Sequence, residues 1–496
     1  MIVTPYYVST TIPYVNGRPH MGHALEFVQV DTLARHQRQR GRAVVAVSGT
    51  DDHAAKNAQT AAALGRDTQE LVDTNAELFQ RLLGRLQCRF DQYVRTSHDP
   101  RHRPAVHRLW TACAHAGDLY RTSYTGDYCT GCETFYQPDE LVEGRCAEHD
   151  REPERVEETN WFFRLSRYQD QLLDVLSSGR LQIVPRHRHN EVVAFVASGL
   201  ADISVSRDAA RTRGWGLQVP GDPHQTIYVW FDALVNYLTA LDWGHDDPAV
   251  SHVWDQGQVI HVVGKGVVRF HAVFWPAFLL AAGVTLPDRI FVHEYITAGG
   301  VKLSKTTGVV IDPADVLDRH GVDAVRWWLL REVNRTVDTD LTDQRIIDRY
   351  DRDLANGVGN LVNRTVTMIG RYCADQLPSV LEAAERARRS HHQRDGSVAA
   401  AIDRALDRFD LQAATDQIVR LVDDANATIQ QTRPWELARL DNHHERLHPV
   451  LGDLLARCRT IGVHLQPFLP QAADRIQQQC APPELTSPRP VFPRLG

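Results

Sequence analysis

The chain lacks any apolar run that could cross a membrane, and it has few cysteines for its length. No segment approaches ~18 consecutive apolar residues, and the N-terminal sequence MIVTPYYVSTTIPYVNG has no basic start followed by an apolar stretch. Eight cysteines in 496 residues are too few for a disulfide framework. These absences exclude integral membrane proteins and disulfide-rich secreted proteins. We expect a cytoplasmic protein with no membrane partner.

Lysine is also scarce. The 55 basic residues are nearly all arginines, and the lysines are Lys56, Lys265, Lys302 and Lys305. A compact ammonium suits a site where a point charge must meet a phosphate oxygen. Genomic base composition explains the preference for Arg, but it does not explain two lysines three residues apart. The net charge of -7 gives no overall basic signal, so we expect no DNA partner, and any RNA contact must rely on local patches.

Several segments predict strands and helices of an α/β sheet. Residues 6–10 are β-branched and aromatic and lead into a turn-rich loop, residues 20–40 keep helical spacing, and residues 43–48 form a buried apolar run. This order is a βαβ unit. Residues 259–263 and 289–293 have the same buried character, so the parallel sheet resumes after a long interruption. The C-terminal part predicts an α-helical bundle.

The sequence His20-Met21-Gly22-His23 stands where the loop after the first predicted strand becomes a helix. Such junctions bind ligands, because the strand ends and the helix N-terminus form a crevice with free N–H groups. The two imidazoles share a face of the first turn, and Gly22 removes a side chain that would block a nucleotide. The motif also arises by chance, so alone it does not establish a phosphate site.

A second motif is Lys302-Leu303-Ser304-Lys305-Thr306. The pair Gly299-Gly300 precedes it and Gly308 follows it. Flanking glycines and two ammonium groups are typical of a loop that closes over a triphosphate and balances charge as pyrophosphate leaves. The alternative is a solvated surface turn.

Together these motifs resemble the paired signatures of class I aminoacyl-tRNA synthetases, an H-x-G-H element and a downstream K-M-S-K-S loop. The stretches most similar to the methionyl-tRNA synthetase family are residues 12–17, 49–53, 228–233, 269–276 and 434–435. The resemblance covers nearly the whole chain. It implies activation of L-methionine by ATP with Mg2+, followed by transfer of the methionyl group to the 3′ end of tRNA(Met).

The resemblance also implies the fold class. An α/β class I Rossmann-type catalytic domain with a parallel sheet is split by a zinc-knuckle insertion and followed by an α-helical anticodon-binding bundle. We place the two catalytic halves at 1–112 and 221–325, the insertion at 113–220, a linking stem-contact segment at 326–350 and the bundle at 351–496. Because the chain ends at Gly496 without the OB-like extension that some relatives use to dimerise, we expect a monomer.

The site residues follow from the same resemblance. Catalysis needs alignment and stabilisation of phosphate charge rather than a protein nucleophile, and the implied catalytic residues are His20, His23, Lys302 and Lys305. The implied ATP contacts are His20, Gly22, His23, Glu26, Gly264, Lys302 and Lys305. Asp51 is expected to hold the methionine ammonium. The expected walls of the thioether pocket are Ile12, Tyr14, Trp230, Ala233, Leu234, Tyr237, Val267, His271 and Trp275. Without the resemblance, such aromatics would be assigned to the ordinary core.

Two short Cys/His pairs predict a metal site. Cys129 and Cys132 form the first pair, and Cys146 and His149 form the second. Three thiolates and one imidazole can surround Zn2+ tetrahedrally and leave no position open for substrate, so the predicted site is structural. The alternative is a set of unrelated buried cysteines.

Asn360, Arg364 and Trp435 lie in the helical tail, and the resemblance implies that they bind the anticodon. An amide, a guanidinium and an indole suit unpaired bases, which are bound by edge contacts and stacking. On their own these residues would be assigned to a helix terminus and to ordinary surface.

Two rival functions remain open at this stage. One is a catalytically silent tRNA-binding relative of the synthetases, which the retention of both histidines and both loop lysines disfavours. The other is a small-molecule nucleotidylyltransferase, which would need neither a helical tail nor a zinc knuckle.

The chain departs from the usual family form at four places. Leu303 and Thr306 alter the K-M-S-K-S loop, Gly266 replaces a common aspartate, and Ala54 and Glu294 replace glycines. The carboxylate missing at Gly266 predicts weaker nucleotide contacts. We hypothesise a diverged second synthetase with altered inhibitor sensitivity. Complementation of a strain that lacks its only copy, with and without an inhibitor of the main enzyme, tests this, and unchanged sensitivity would contradict it.

Overall fold

The computed structural model describes residues 4–129, 134–136, 141–146, 150–245, 248–302, 311–482, 485 and 489–495. The chain forms two compact units, Met1–Tyr295 with Val301–Pro313 and Ile296–Gly300 with Ala314–Gly496. The division falls at Pro313, whereas the sequence placed the end of the catalytic half at 325. The reason is that the helix that follows Pro313 bonds within the second unit, as Arg326 donates to the carbonyl of Phe468.

The first unit is built on a parallel sheet of six strands in the order β3-β2-β1-β12-β13-β7. Its buried strands are rich in Val and Ile, as expected for a sheet covered on both faces. The predicted βαβ unit and the two later strands are confirmed. The bounds are β1 Tyr6–Ser9, β2 Val44–Thr50, β3 Gln92–Arg95, β7 Gln182–Val184, β12 Gln258–Gly264 and β13 Arg289–His293.

Two antiparallel sheets lie between the halves of the parallel sheet in sequence, in the orders β5-β4-β6-β8 and β10-β11-β9. The predicted insertion, 113–220, is not wholly separate, because β7 lies inside it and pairs in parallel with β13. Three residues before Pro185 carry too little periodicity to predict a sheet strand. The bounds are β4 Leu119–Cys129, β5 Thr134–Tyr136, β6 Glu154–Phe163, β8 Ile203–Ser204, β9 Ser206–Asp208, β10 Gln218–Val219 and β11 Asp222–Ile227.

Helices connect the strands of the first unit and cover its sheet. Their bounds are α1 Met21–Gln39, α2 Ala55–Ala63, α3 Thr68–Arg85, α4 His102–His115, α5 Gln169–Ser177, α6 Arg186–Ala197, α7 Val229–Leu234, α8 Asn236–Thr239 and α9 Trp275–Ala281. Short 3-10 or π turns occupy Leu165–Tyr168, Trp243–His245, Val250–Asp255, Lys265–Val267 and Phe270–Phe274.

The second unit is mainly helical, as predicted. Helices Leu377–Ser390 and His444–Leu465 pack tightly, because a Cβ at Gly452 would lie 2.6 Å from the Cβ of Ala383, so only glycine fits. Two short strands also pair in parallel, β14 Ile296–Ala298 and β16 Thr339–Asp340. The helix bounds are α10 Pro313–Arg331, α11 Asp343–Tyr350, α12 Asn360–Tyr372, α13 Leu377–Ser390, α14 His392–Leu406, α15 Leu411–Thr432, α16 Pro434–Leu437, α17 His444–Leu465 and α18 Pro470–Gln479.

The remaining short elements are β15 Val301–Lys302, the π-helical segment Asp351–Gly359 and the 3-10 turn Ala374–Gln376. None of the helices in the described ranges combines the length and the hydropathy that a membrane span requires.

Candidate active site

The candidate site lies where the strand order of the parallel sheet reverses. From β1 the chain moves to β2 and β3 on one side, and it later fills the other side with β12 and β13. Tyr6 therefore pairs with Val44 on one flank and with Gln258 on the other. Ligands bind at such a switch point, outside the carboxyl ends of the strands. The loop after β1 and the turn after Gly264 both begin at this edge.

His20 and His23 form a reciprocal cap at the start of α1. The Nδ1 atom of His20 accepts from the amide of Gly22 at 3.1 Å, and the Nδ1 atom of His23 accepts from the amide of His20 at 3.0 Å. The rings stack with centroids 3.8 Å apart. Because each Nδ1 accepts, the neutral rings carry their proton on Nε2, which makes both Nε2 atoms donors suited to phosphate oxygens.

Glycine is required at position 22 for a steric reason that the sequence alone did not reveal. A Cβ at this residue would lie 2.9 Å from Cε1 of His20, closer than real contacts allow. Glycine therefore lets the first imidazole fold back over the helix start, besides leaving room for a ligand.

Glu26 ties three elements together beneath the site and is buried. Its Oε1 atom accepts from both the amide and the hydroxyl of Thr11 at 2.6 Å, and its Oε2 atom lies 3.0 Å from Nε2 of His293. His293 ends β13 and faces Gly264, whose added Cβ would lie 3.4 Å from it. Glu26 thus fixes the loop after β1 against the ends of β12 and β13.

Asp51 lies at the end of β2, buried and beside Tyr14, with which it forms an isolated parallel bridge. The amide of Asp51 donates to the carbonyl of Pro13 at 2.9 Å. The Nδ2 atom of Asn57 donates to the carbonyls of Asp51 and Asp52. These bonds fix the backbone of Asp51, and the amide of His53 donates to its Oδ1 atom at 3.1 Å, so the carboxylate is held at the switch point.

Aromatic side chains from separate segments gather beside this carboxylate. Trp230 stacks on Phe270 with centroids 3.7 Å apart, and its ring lies 6.2 Å from the rings of both Tyr14 and His271. Tyr237 lies 6.1 Å from Trp275. The structure therefore brings together the aromatic residues that the resemblance assigned to a thioether pocket.

Two of these groups are held in their neutral forms. The Nδ1 atom of His271 donates to the carbonyl of Val267 at 2.9 Å, so its Nε2 atom accepts from the hydroxyl of Tyr237 at 2.7 Å. Burial lowers the pKa of His271 to about 4, and burial also raises the pKa of Tyr237 well above its ordinary value. At neutral pH these walls carry no charge, which suits an uncharged, polarizable side chain.

The remaining predicted pocket residues lie on the same elements. Ala233 and Leu234 are buried on α7 with Trp230, and Val267 ends the 3-10 turn after β12. Ile12 lies in the loop after β1, and its Cγ2 atom would be 3.1 Å from a Cβ at Gly49.

Several predicted residues lie partly or wholly outside the described part of the chain. The backbone of Lys302 is in β15, its side chain is not described, and Lys305 lies outside. Cys129 and Cys146 are buried, whereas Cys132 and His149 lie outside the described residues.

The three predicted anticodon residues lie in the second unit, outside the parallel sheet. Asn360 starts α12, Arg364 lies one turn later, and Trp435 is on α16. Both helices pack on α17.

Three comparisons place the chain among known proteins. A family model described as tRNA synthetases class I (M) matches residues 6–154 and 125–366. A methionine–tRNA ligase of Brucella suis is 38% identical over 511 positions, covering 99% of this chain and 98% of the relative. A structure of methionyl-tRNA synthetase from Mycobacterium tuberculosis in complex with methionyl-adenylate superposes with a TM-score of 0.88 at 34% identity, covering 99% of this chain and 100% of the other. The chain belongs to the methionyl-tRNA synthetase family.

A second relative, the methionine–tRNA ligase of Mycobacterium bovis, is 38% identical over 95% of this chain and 91% of its own length. The relatives named here are all methionyl-tRNA synthetases. They give no support to a catalytically silent tRNA-binding relative.

This member of the methionyl-tRNA synthetase family has a buried His–Asp–His network that sequence reasoning missed. The two carboxylate oxygens of Asp232 lie 2.7 Å from Nδ1 of His53 and 2.6 Å from Nε2 of His102. The Nδ1 atom of His102 lies 2.9 Å from the hydroxyl of Thr239. His53 and Asp232 occur in the stretches that resemble the family, but no local signal connects His102 on α4 to them.

The network is better explained by hydrogen bonds than by a metal ion, although its three ligand atoms lie within 4.8 Å of one another. Ligands around Zn2+ at bonds of about 2.0–2.1 Å stand farther apart than the 2.6 and 2.7 Å observed. Burial opposes charge on His53, but Asp232 outweighs it and raises the pKa of His53. Burial likewise opposes charge on Asp232, yet the two imidazoles hold its pKa well below the ordinary value.

We expect Asp232→Asn to lower the free energy of unfolding by on the order of 3 kcal/mol, because it removes the counter-charge of His53 and the acceptor of the buried His102 imidazole. Folding lowers the pKa of Asp232, so the stabilisation that its carboxylate provides is fully present above its ordinary pKa of about 3.9. Folding raises the pKa of His53, so the stabilisation from its imidazolium is fully present below its ordinary pKa of about 6.5. The loss is therefore largest between these values. Urea unfolding followed by tryptophan fluorescence at several pH values measures it.

The matched control is Asp242→Asn, which removes the carboxylate of an exposed His–Asp pair with His245 at 2.6 Å. An exposed pair contributes little, so its change stays within about 0.5 kcal/mol. Equal losses for the two variants, or a loss that does not vary with pH, would contradict the network's role.

Proposed function

We propose that this chain catalyses the formation of methionyl-adenylate from L-methionine and ATP and the transfer of the methionyl group to the 3′ end of tRNA(Met). The observation that carries the proposal is a neutral aromatic pocket with a buried carboxylate at one end, built at the switch point where the capped His20–His23 pair also lies. A thioether fits the neutral walls, an ammonium fits Asp51, and phosphate oxygens fit the imidazole donors.

The reaction needs alignment rather than a protein nucleophile. The methionine carboxylate attacks the α-phosphorus of ATP, the bond to pyrophosphate breaks, and a terminal ribose hydroxyl of the tRNA then displaces AMP from the adenylate. In this proposal Asp51 fixes the amine end of methionine so that the carboxylate points toward the phosphates. The Nε2 donors of His20 and His23, at the positive end of the α1 dipole, stabilise charge on the phosphate oxygens.

The loop lysines and the metal belong to the same proposal. Lys302 and Lys305 would neutralise the β- and γ-phosphates as pyrophosphate leaves, and Mg2+ bound with ATP supplies further charge neutralisation. Glu26 and Gly264, which meet through His293, would form the floor of the nucleotide site. Asn360, Arg364 and Trp435 would contact the anticodon by edge hydrogen bonds and stacking. The monomeric state and the cytoplasmic location stay predictions.

The zinc proposal rests on donor chemistry. Cys129 and Cys146 are both buried, as ligands of a closed structural site would be, and Cys132 and His149 would complete a tetrahedral set. Such a site stabilises the fold of its own subdomain and takes no part in the reaction.

Methionine-dependent exchange of pyrophosphate into ATP tests the activity, and the assay is run across several amino acids. We expect exchange with methionine and little with the others. Asp51→Asn is expected to raise the KM for methionine on the order of 100-fold, because it removes the charge that pairs with the ammonium. The KM for ATP should change little.

Asp67→Asn is the matched control, because Asp67 caps α3 through Glu70, away from the switch point, and Asn caps equally well. Its kinetics should equal those of the parent chain. Absence of exchange with every amino acid would remove the proposed function. An unchanged KM for methionine in Asp51→Asn would remove only the role of Asp51.

Metal analysis tests the zinc site. After dialysis the parent chain should hold about one zinc ion, and Cys129→Ser or Cys146→Ser should hold markedly less, because each removes one of four ligands. Cys88→Ser is the control and should keep the zinc, since Cys88 lies outside the predicted site. Equal zinc content in all variants, or no zinc in the parent chain, would refute the assignment.

A further inference from the structure

Glu294 is a buried carboxylate surrounded by cations at the edge of the parallel sheet. It follows β13 directly, and its side chain is 2% exposed. The Nε and Nη2 atoms of Arg188 donate to it at 2.6 to 3.0 Å, Nζ of Lys265 lies 3.1 Å from its Oε2 atom, and Nε2 of His187 lies 3.2 Å from its Oε1 atom. We call these four residues the Glu294 cluster.

The cluster joins three elements at the switch-point edge. Lys265 begins the turn immediately after Gly264 of β12, Glu294 follows β13, and Arg188 lies in the first turn of α6. The Nζ atom of Lys265 also lies 4.5 Å from the ring centroid of Tyr295. The ammonium is thus held from two sides, while its side chain keeps 21% exposure toward solvent.

The contacts decide how Glu294 can act. A carboxylate accepts roughly four hydrogen bonds, and Arg188, Lys265 and His187 together make five contacts with it at 3.2 Å or less. No acceptor capacity is left for ribose hydroxyls or for Mg2+. Glu294 therefore acts through the cations that it holds and not by touching the nucleotide.

We propose that Glu294 is a positioning residue that holds the ammonium of Lys265 at the carboxyl ends of β12 and β13 for contact with the phosphates of ATP, while the guanidinium of Arg188 stays bound to Glu294 and Glu191. Without it, two neighbouring cations would repel each other, and the ammonium would leave the edge. This inference rests on the proposed function.

The second part of the proposal concerns Gly266, which directly follows Lys265. From the family resemblance we expect a carboxylate at this position and glycine at position 294, and this chain has the reverse at both. An aspartate at position 266 would place next to Lys265 the same negative charge that Glu294 supplies from the end of the adjacent strand.

The test is a cycle of variants in the full chain, measured by methionine-dependent pyrophosphate exchange. Glu294→Gln keeps the shape and removes the charge, and we expect the KM for ATP to rise about tenfold or more while the KM for methionine changes less than about twofold. Glu294→Gly should show the same split. The double variant Glu294→Gly/Gly266→Asp should return the KM for ATP to within about threefold of the parent value.

Glu191→Gln is the matched control, because Glu191 also binds Arg188, at 2.8 Å, but is 54% exposed and is not among the groups that contact Lys265 in the cluster. Its KM values should equal those of the parent chain. Circular dichroism melts of every variant separate folding from catalysis, and if Glu294→Gly does not fold, the result for Glu294→Gln decides.

Three results would overturn the proposal while leaving the proposed function intact, provided that the parent chain shows exchange. They are an unchanged KM for ATP in Glu294→Gln, an equal rise in both KM values, and a double variant no better than a folded Glu294→Gly. Absence of exchange in the parent chain would instead refute the proposed function itself.

Discussion

Strand β1 pairs with β12 in parallel across some 250 positions of sequence, with Tyr6 beside Gln258 and Ser9 beside His261. The hydroxyl of Ser9 lies 2.7 Å from Nδ1 of His261, both fully buried, so the pairing is reinforced by side chains. Parallel strands cannot be joined by a tight turn, and here the connection includes two further sheets and several helices. The imidazole pair, the buried carboxylate of Asp51 and the cation cluster reach one edge only because this long-range pairing forms.

Around that edge the fold separates neutral from charged chemistry. The pocket walls formed by Tyr237 and His271 are uncharged at neutral pH, because burial moves both pKa values away from neutrality in the direction of the neutral form. The buried charges of the Asp232 network and of the Glu294 cluster are surrounded by partners. Isolated buried charges are costly, so pairing is a condition for placing them near a ligand site at all.

The sequence predicted the parts of the fold that have their own periodicity. The apolar run at residues 43–48 corresponds to β2, and the helical spacing after His20 corresponds to α1. A strand buried on both faces is apolar throughout and a helix buried along one stripe has a period of about 3.6 residues, so both patterns can be recognised in the local sequence. Strand β7 left none, since three residues are too few for a period. The position of the domain division was also beyond local patterns, because it depends on where the side chains of α10 find partners, such as the carbonyl of Phe468.

The candidate site shows the same limit. His20, Gly22 and His23 lie within four positions, so their shared helix start could be predicted, whereas the aromatic pocket was assigned only through resemblance. The network of Asp232 with His53 and His102 escaped prediction, because residues on α4, α7 and a loop share no spacing in sequence. Tertiary packing alone brings them together.

The two departures at positions 266 and 294 show why substitutions in a site have to be considered in three dimensions. Considered alone, Gly266 predicts a missing carboxylate and a weakened nucleotide site, and Glu294 predicts a bulky charge where glycine is usual. In the structure the carboxylate of Glu294 lies 3.1 Å from the ammonium of Lys265, and Lys265 is the sequence neighbour of Gly266. A carboxylate and an ammonium interact through space, so the strand that supplies the carboxylate can change without loss of the interaction.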